Sequence, residues 1–212
     1  MYAMLEETGN QDVETFSPDD YLAGVLRRVV ERQQDVIVTL DGIGEIAIRP
    51  ARGEFYDDDA PNVSAFCAAP AHRYRVRPMT NEERTRRSGQ RSSHNIDELM
   101  WTAGFFASRG RPIEGTLFDF DVVRIRHWPN LSRLPQTPNT MRIVALLTRY
   151  PTSLAVTQRL LKIEKSEVFW VYSAARCAGL VQVVNAGADA PAIGVHRHQS
   201  LLGKLLGRII QL

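Results

Sequence analysis

Residues 153–184 read SLAVTQRLLKIEKSEVFWVYSAARCAGLVQVV, and this stretch decides the fold. Ser153 is a natural helix N-cap, and Leu154, Val156, Leu160 and Leu161 follow on a short helix. Residues 162–165 read as a turn. A second helix opens at Ser166 and Glu167 and carries Val168, Val171, Tyr172, Ala175 and Ala178. Gly179 stands where a left-handed residue closes a helix, and residues 180–184 are β-prone. Upstream, Thr137, Pro138 and Asn139 cap a further helix bearing Met141, Val144, Ala145, Leu147 and Thr148, which Tyr150 and Pro151 end. Downstream, a glycine-containing turn over 185–191 is expected to lead into a returning strand at 193–195.

The order helix, turn, helix, then Ala178-Gly179-Leu180-Val181 entering a strand resembles winged helix-turn-helix proteins. The resemblance implies a winged-helix domain over 137–196. In DNA-binding members of that family the exposed start of the third helix enters the major groove. Carried onto this chain, that set is Glu164, Ser166, Glu167, Phe169, Trp170 and Ser173. Two are carboxylates, which the phosphate backbone repels, and two are large aromatics. Lys162, Lys165, Ser166 and Arg176 are the candidates for a DNA contact, while residues 185–189 at the wing tip hold no arginine or lysine. The balance favours a protein-binding face made of Glu164, Glu167, Phe169 and Trp170. Packing of Phe169 and Trp170 against the N-terminal domain or the C-terminal tail is the expectation weighed ahead of that face, and either reading argues against a base-reading helix.

The stretch WPNLSRLPQTPNTMRI at 128–143, with the winged-helix pattern after it, is similar to uncharacterised proteobacterial proteins that accompany Ras-like motility GTPases and type IV pilus regulators. That similarity implies a small GTPase or a pilus regulator as the partner, and it carries over no binding residue.

The N-terminal half reads as a small α+β domain over 19–112. Residues 1–18 are acidic and expected to be frayed. Ser17 followed by Pro18, Asp19 and Asp20 is a helix start, and Leu22, Val25, Leu26, Val29 and Val30 form an apolar stripe. Val36–Leu40 and residues 45–49 flank the hairpin signal Asp41-Gly42. Asp57, Asp58 and Asp59 open an acidic loop. Residues 72–79 alternate, with Tyr74 and Val76 on one side and Arg73, Arg75 and Arg77 on the other. Residues 81–93, with Arg84, Arg86, Arg87 and Arg91, read as a solvated helix start or a loop. A helix from Asn95 to Gly110 carries Ile96, Leu99, Met100, Ala103, Phe106 and Ala107. Residues 118–126 read as a strand inside a connector over 113–136.

The chain of 212 residues suits two units, and 44% hydrophobic with 24% charged residues is ordinary globular chemistry. A formal charge of +2 gives no global field toward nucleic acid or an anionic membrane. Lysine occurs only at 162, 165 and 204, so planar arginine dominates the basic set, an outcome that GC-rich coding also produces. Cys67 and Cys177 form no disulfide framework. With no apolar leader and no membrane-length run, a bacterial cytoplasm is the expected location.

Residues 200–212, SLLGKLLGRIIQL, form an amphipathic helix over 197–212 in which Leu202, Leu205 and Ile209 present an apolar face. Docking on the chain itself, dimerisation or partner binding, and contact with a membrane surface are its possible uses. His196 and His198 with Cys177 match no standard zinc spacing, and no nucleotide-loop or hydrolase motif occurs. The expectation is a non-enzymatic adaptor without metal or cofactor; the alternative is a winged-helix transcriptional regulator, with Arg73, Arg75, Arg77 and the 84–91 run as phosphate contacts.

Overall fold

The computed structural model describes residues 14–57, 62–88 and 93–185. The apolar stripe at Leu22, Val25, Leu26 and Val29 forms the buried face of α1 (Leu22–Arg32). The hairpin signal joins β1 (Val36–Leu40) to β2 (Gly44–Arg49), and Gly42 takes φ 77° at the turn. Then come β3 (Glu54–Tyr56), α2 (Val63–Ala68), β4 (Tyr74–Pro78), α3 (Asn81–Ser88), β5 (His94–Asn95) and α4 (Ile96–Ser108). The five strands form one antiparallel sheet in the order β4-β1-β2-β3-β5.

Alternation along the strands supplies two faces. Val36, Val38, Leu40, Ile46, Ile48 and Phe55 pack with α1, α2 and α4. Ile37, Ala47, Tyr56 and Met79 face the other way, where α3 lies. There Arg87 is 2% exposed and stands over the Tyr56 ring, 4.0 Å from Glu45, while Arg84 and Arg49 converge on Asp35. Helix α3 is therefore formed and docked, and two arginines of the basic run, Arg84 and Arg87, serve to hold it.

The start of the chain differs from the sequence expectation. Pro18–Asp20 is a 3-10 turn, Ser17 makes no side-chain cap, and α1 begins only after extended Tyr21. The turn folds back on α1: a Cβ on Gly24 would sit 2.5 Å from the Asp19 Cα. Residues 14–18 are also held. Phe16 is 3% exposed, donates its N–H to the Pro112 carbonyl and accepts from the Glu114 N–H.

After α4 come β6 (Val122–Ile125), α5 (Thr140–Arg149), β7 (Thr152–Ser153), α6 (Leu154–Leu161), α7 (Lys165–Cys177) and β8 (Val181–Val183). Ser153 caps α6 by accepting from the Val156 N–H. Gly179, at φ 70°, closes α7, with its N–H donating to Arg176 O and the Leu180 N–H to Ala175 O. The three strands run antiparallel in the order β7-β6-β8. The central strand thus comes from the stretch read as connector. Asn185 clamps it, accepting from the Val122 N–H at 2.8 Å and donating to Phe120 O at 2.8 Å. The returning strand expected at 193–195 lies outside the described residues.

Helix α4 contributes to two hydrophobic clusters: Leu99 and Ala103 enter the first, Trp101 and Phe105 the second. It crosses α7 at Gly104, where a Cβ would stand 2.7 Å from the Cys177 Cβ and 2.9 Å from Ser173 O. Among the described residues no helix is long and apolar enough to cross a membrane.

Candidate functional site

Helix α7 was expected to offer an outer face, and the structure corrects that placement for most of its residues. Phe169 is 2% exposed and packs edge-on against Phe118. Ser173 is fully buried and donates to Arg111 O. Trp170 is half-buried, its ring 4.4 Å from that of Phe105. Half-buried Glu167 is occupied by Asn139, the N-cap residue of α5. The physical reason is that Val168, Phe169, Val171, Tyr172, Ala174 and Ala175 surround the helix with apolar groups, so it serves as the central element of the second hydrophobic cluster.

Glu164, Ser166, Lys162 and Arg176 stay exposed. Arg176 donates to the Tyr172 hydroxyl, and half-buried Lys165 holds its ammonium 4.1 Å above the Phe118 ring. The exposed remainder carries both signs of charge and leaves no aromatic anchor. Leu202, Leu205, Ile209, His196, His198 and Arg91 lie outside the described residues. Burial pushes the thiols of Cys67 and Cys177 up to about 12, which keeps them protonated at neutral pH.

A different surface emerges at the edge of the first sheet. Strand β4 is outermost, with β1 on its inner side in the register Val36↔Pro78 to Leu40↔Tyr74. Tyr74 turns inward, where burial raises its pKa and its hydroxyl donates to Phe66 O. Val76, two residues on along the same face, is 46% exposed. Between β4 and α1 runs a groove of about 390 Å³, with Val25, Val29, Tyr74 and Val76 in its floor and Arg28 and Arg32 beside it. Those two arginines lie one turn apart on α1, are exposed, and have no ion-pair partner among the described residues.

On the opposite face of β4, Thr39, Arg75 and Arg77 bound a second hollow. Arg75 pairs with Asp41, and Arg77 grips Glu83 with two N–H groups at 3.0 and 2.7 Å. The Arg77 bonds, with the Thr80 N–H, hold the Glu83 carboxyl down at about 2. Arg73, expected on the strand, is exposed in the 3-10 turn Ala71–Arg73 just before it.

Sequence reasoning missed Arg28 and Arg32. Their i, i+4 spacing on the polar side of α1 was the available sign, but only the sheet edge beside them gives it meaning. No protein-family model, no curated protein and no solved structure matches the chain.

Proposed function

We propose that the chain is a non-enzymatic cytoplasmic adaptor whose C-terminal half follows a winged helix-turn-helix plan and which captures a protein partner through the α1–β4 groove. A small GTPase or a type IV pilus or motility regulator is the partner class that the sequence resemblance implies. The observation that carries the reading is an outer strand with an exposed valine beside a groove floored by valines and flanked by two arginines that have no ion-pair partner among the described residues. An edge strand offers backbone groups that a polypeptide satisfies best.

The alternative, a DNA-binding regulator, needs an exposed polar recognition helix. The burial of Phe169 and Ser173 and the internal use of Glu167 weigh against α7 in that role. The test pairs two measurements on the full chain. A gel-shift titration against duplex DNA at two salt concentrations is expected to give no sequence-selective retardation. Affinity capture from the native cell is expected to retain a defined protein. Selective, salt-dependent DNA binding without protein capture would replace the adaptor with the regulator.

A further inference from the structure

We infer that the segment filling the groove is an extended acidic stretch of a partner protein, added to β4 as a sixth strand. The inference rests on the adaptor reading and names the chemistry of its partner.

Only the inner edge of β4 is paired, so the outer backbone groups of Tyr74–Pro78 face an open side among the described residues. Side chains alternate along a strand, and they alternate in the same way along one laid beside it. On the α1 side, the incoming side chains meet Val76, Arg28 and Arg32. On the other side they meet Arg75 and Arg77. Guanidinium groups thus stand on both faces of the added strand, and carboxylates are the complementary charge. Arg28 and Arg32, which have no ion-pair partner among the described residues, take them directly, and Arg75 and Arg77 do so by exchanging Asp41 and Glu83.

Two other occupants fit less well. A second copy pairing edge to edge would set its Arg75 and Arg77 against the same arginines, and charged edges oppose such pairing. Single-stranded nucleic acid needs an open ring for base stacking, whereas the groove floor is aliphatic apart from Tyr74, which is 8% exposed.

The test uses the full chain, a fluorescein-labelled eight-residue peptide repeating Glu-Glu-Val-Val, which sets carboxylates on both faces of a strand, and anisotropy at low salt. A second peptide carries proline in place of each valine, so it keeps the charge and loses strand pairing. An eight-nucleotide oligothymidine is the third probe. The glutamate–valine peptide is expected to bind, and the proline peptide to bind at least about tenfold more weakly. Arg28→Glu with Arg32→Glu should weaken the first peptide about tenfold, two reversed contacts of ordinary surface strength. Arg133→Glu with Arg159→Glu, an equal charge change at exposed sites elsewhere, should leave it unchanged. Amide shifts should centre on Tyr74, Arg75, Val76 and Arg77. Equal binding of the proline peptide, tighter binding of oligothymidine, shifts away from β4, or no peptide binding each overturn the strand addition. If the peptide fails yet the Arg28/Arg32 double variant loses the cellular partner, only this inference falls. If capture also ignores those substitutions, the groove as adaptor surface falls with it.

Discussion

The Glu167 carboxylate, in the first turn of α7, accepts from the backbone N–H of Asn139 at 3.3 Å and from its Nδ2 at 3.0 Å. Asn139 is the N-cap residue of α5 and makes no cap bond with its own side chain. Glu167 therefore ties two helices together and places negative charge at the positive end of α5. Glu167→Ala should lower stability by about 1–2 kcal/mol, the scale of a lost cap or charged hydrogen bond. Urea unfolding at unchanged m-value measures it. A change within about 0.3 kcal/mol, well below that scale, would remove the structural role.

Gly104 governs the crossing of α4 and α7. An added Cβ meets the Cys177 Cβ and the Ser173 carbonyl, one of them fixed backbone. Gly104→Ala should cost about 1–3 kcal/mol through overpacking, read as a lower thermal midpoint. Because Trp101 and Phe105 on the same helix sit in the second hydrophobic cluster and Leu99 and Ala103 in the first, both clusters should lose stability in a single transition.

Trp170→Ala removes the ring stacked near Phe105. The expected loss is about 2–3 kcal/mol, below the full cost of a buried tryptophan because the side chain is half-buried. Near-ultraviolet circular dichroism and denaturation follow it. With the variant held below its unfolding transition, partner capture should be retained; selective loss of capture would return the site to α7.

Glu83 gives the pH dependence a sign. Its carboxyl stands at about 2 against an ordinary 4.5, chiefly through the hydrogen bonds from Arg77. A depressed acid stabilises the fold above its unfolded value, so this contribution is complete above about 4.5 and disappears as pH falls toward 2. Glu83→Gln should flatten the stability curve in that window and leave it unchanged in shape at neutral pH. The same substitution releases Arg77 and should tighten the acidic peptide.

Local chemistry was legible wherever one residue sets the geometry. Gly179 closes α7, Ser153 caps α6, Asn95 caps α4 by accepting from the Asp97 N–H, and Asp41-Gly42 turns the hairpin. The alternation at 72–79 likewise sorted Tyr74 from Arg75 and Arg77.

Long-range placement was not legible. Val122–Ile125 reads as a strand, but nothing local says that it lies between β7 and β8. Phe169 and Trp170 look like an exposed pair until Phe118 and Phe105 are found against them. One sign was present: α7 is apolar around its circumference, the pattern of a buried helix. Arg84 and Arg87 seemed solvated because their partners, Asp35 and Glu45, are distant in sequence.

The most direct measurement compares capture of native-cell proteins by the wild-type chain, by Arg28→Glu with Arg32→Glu, and by Lys162→Glu with Arg176→Glu, all verified as folded. Loss of the retained partner from the α1 variant alone is the predicted result. Loss from the α7-flank variant, with capture by the α1 variant intact, would contradict it.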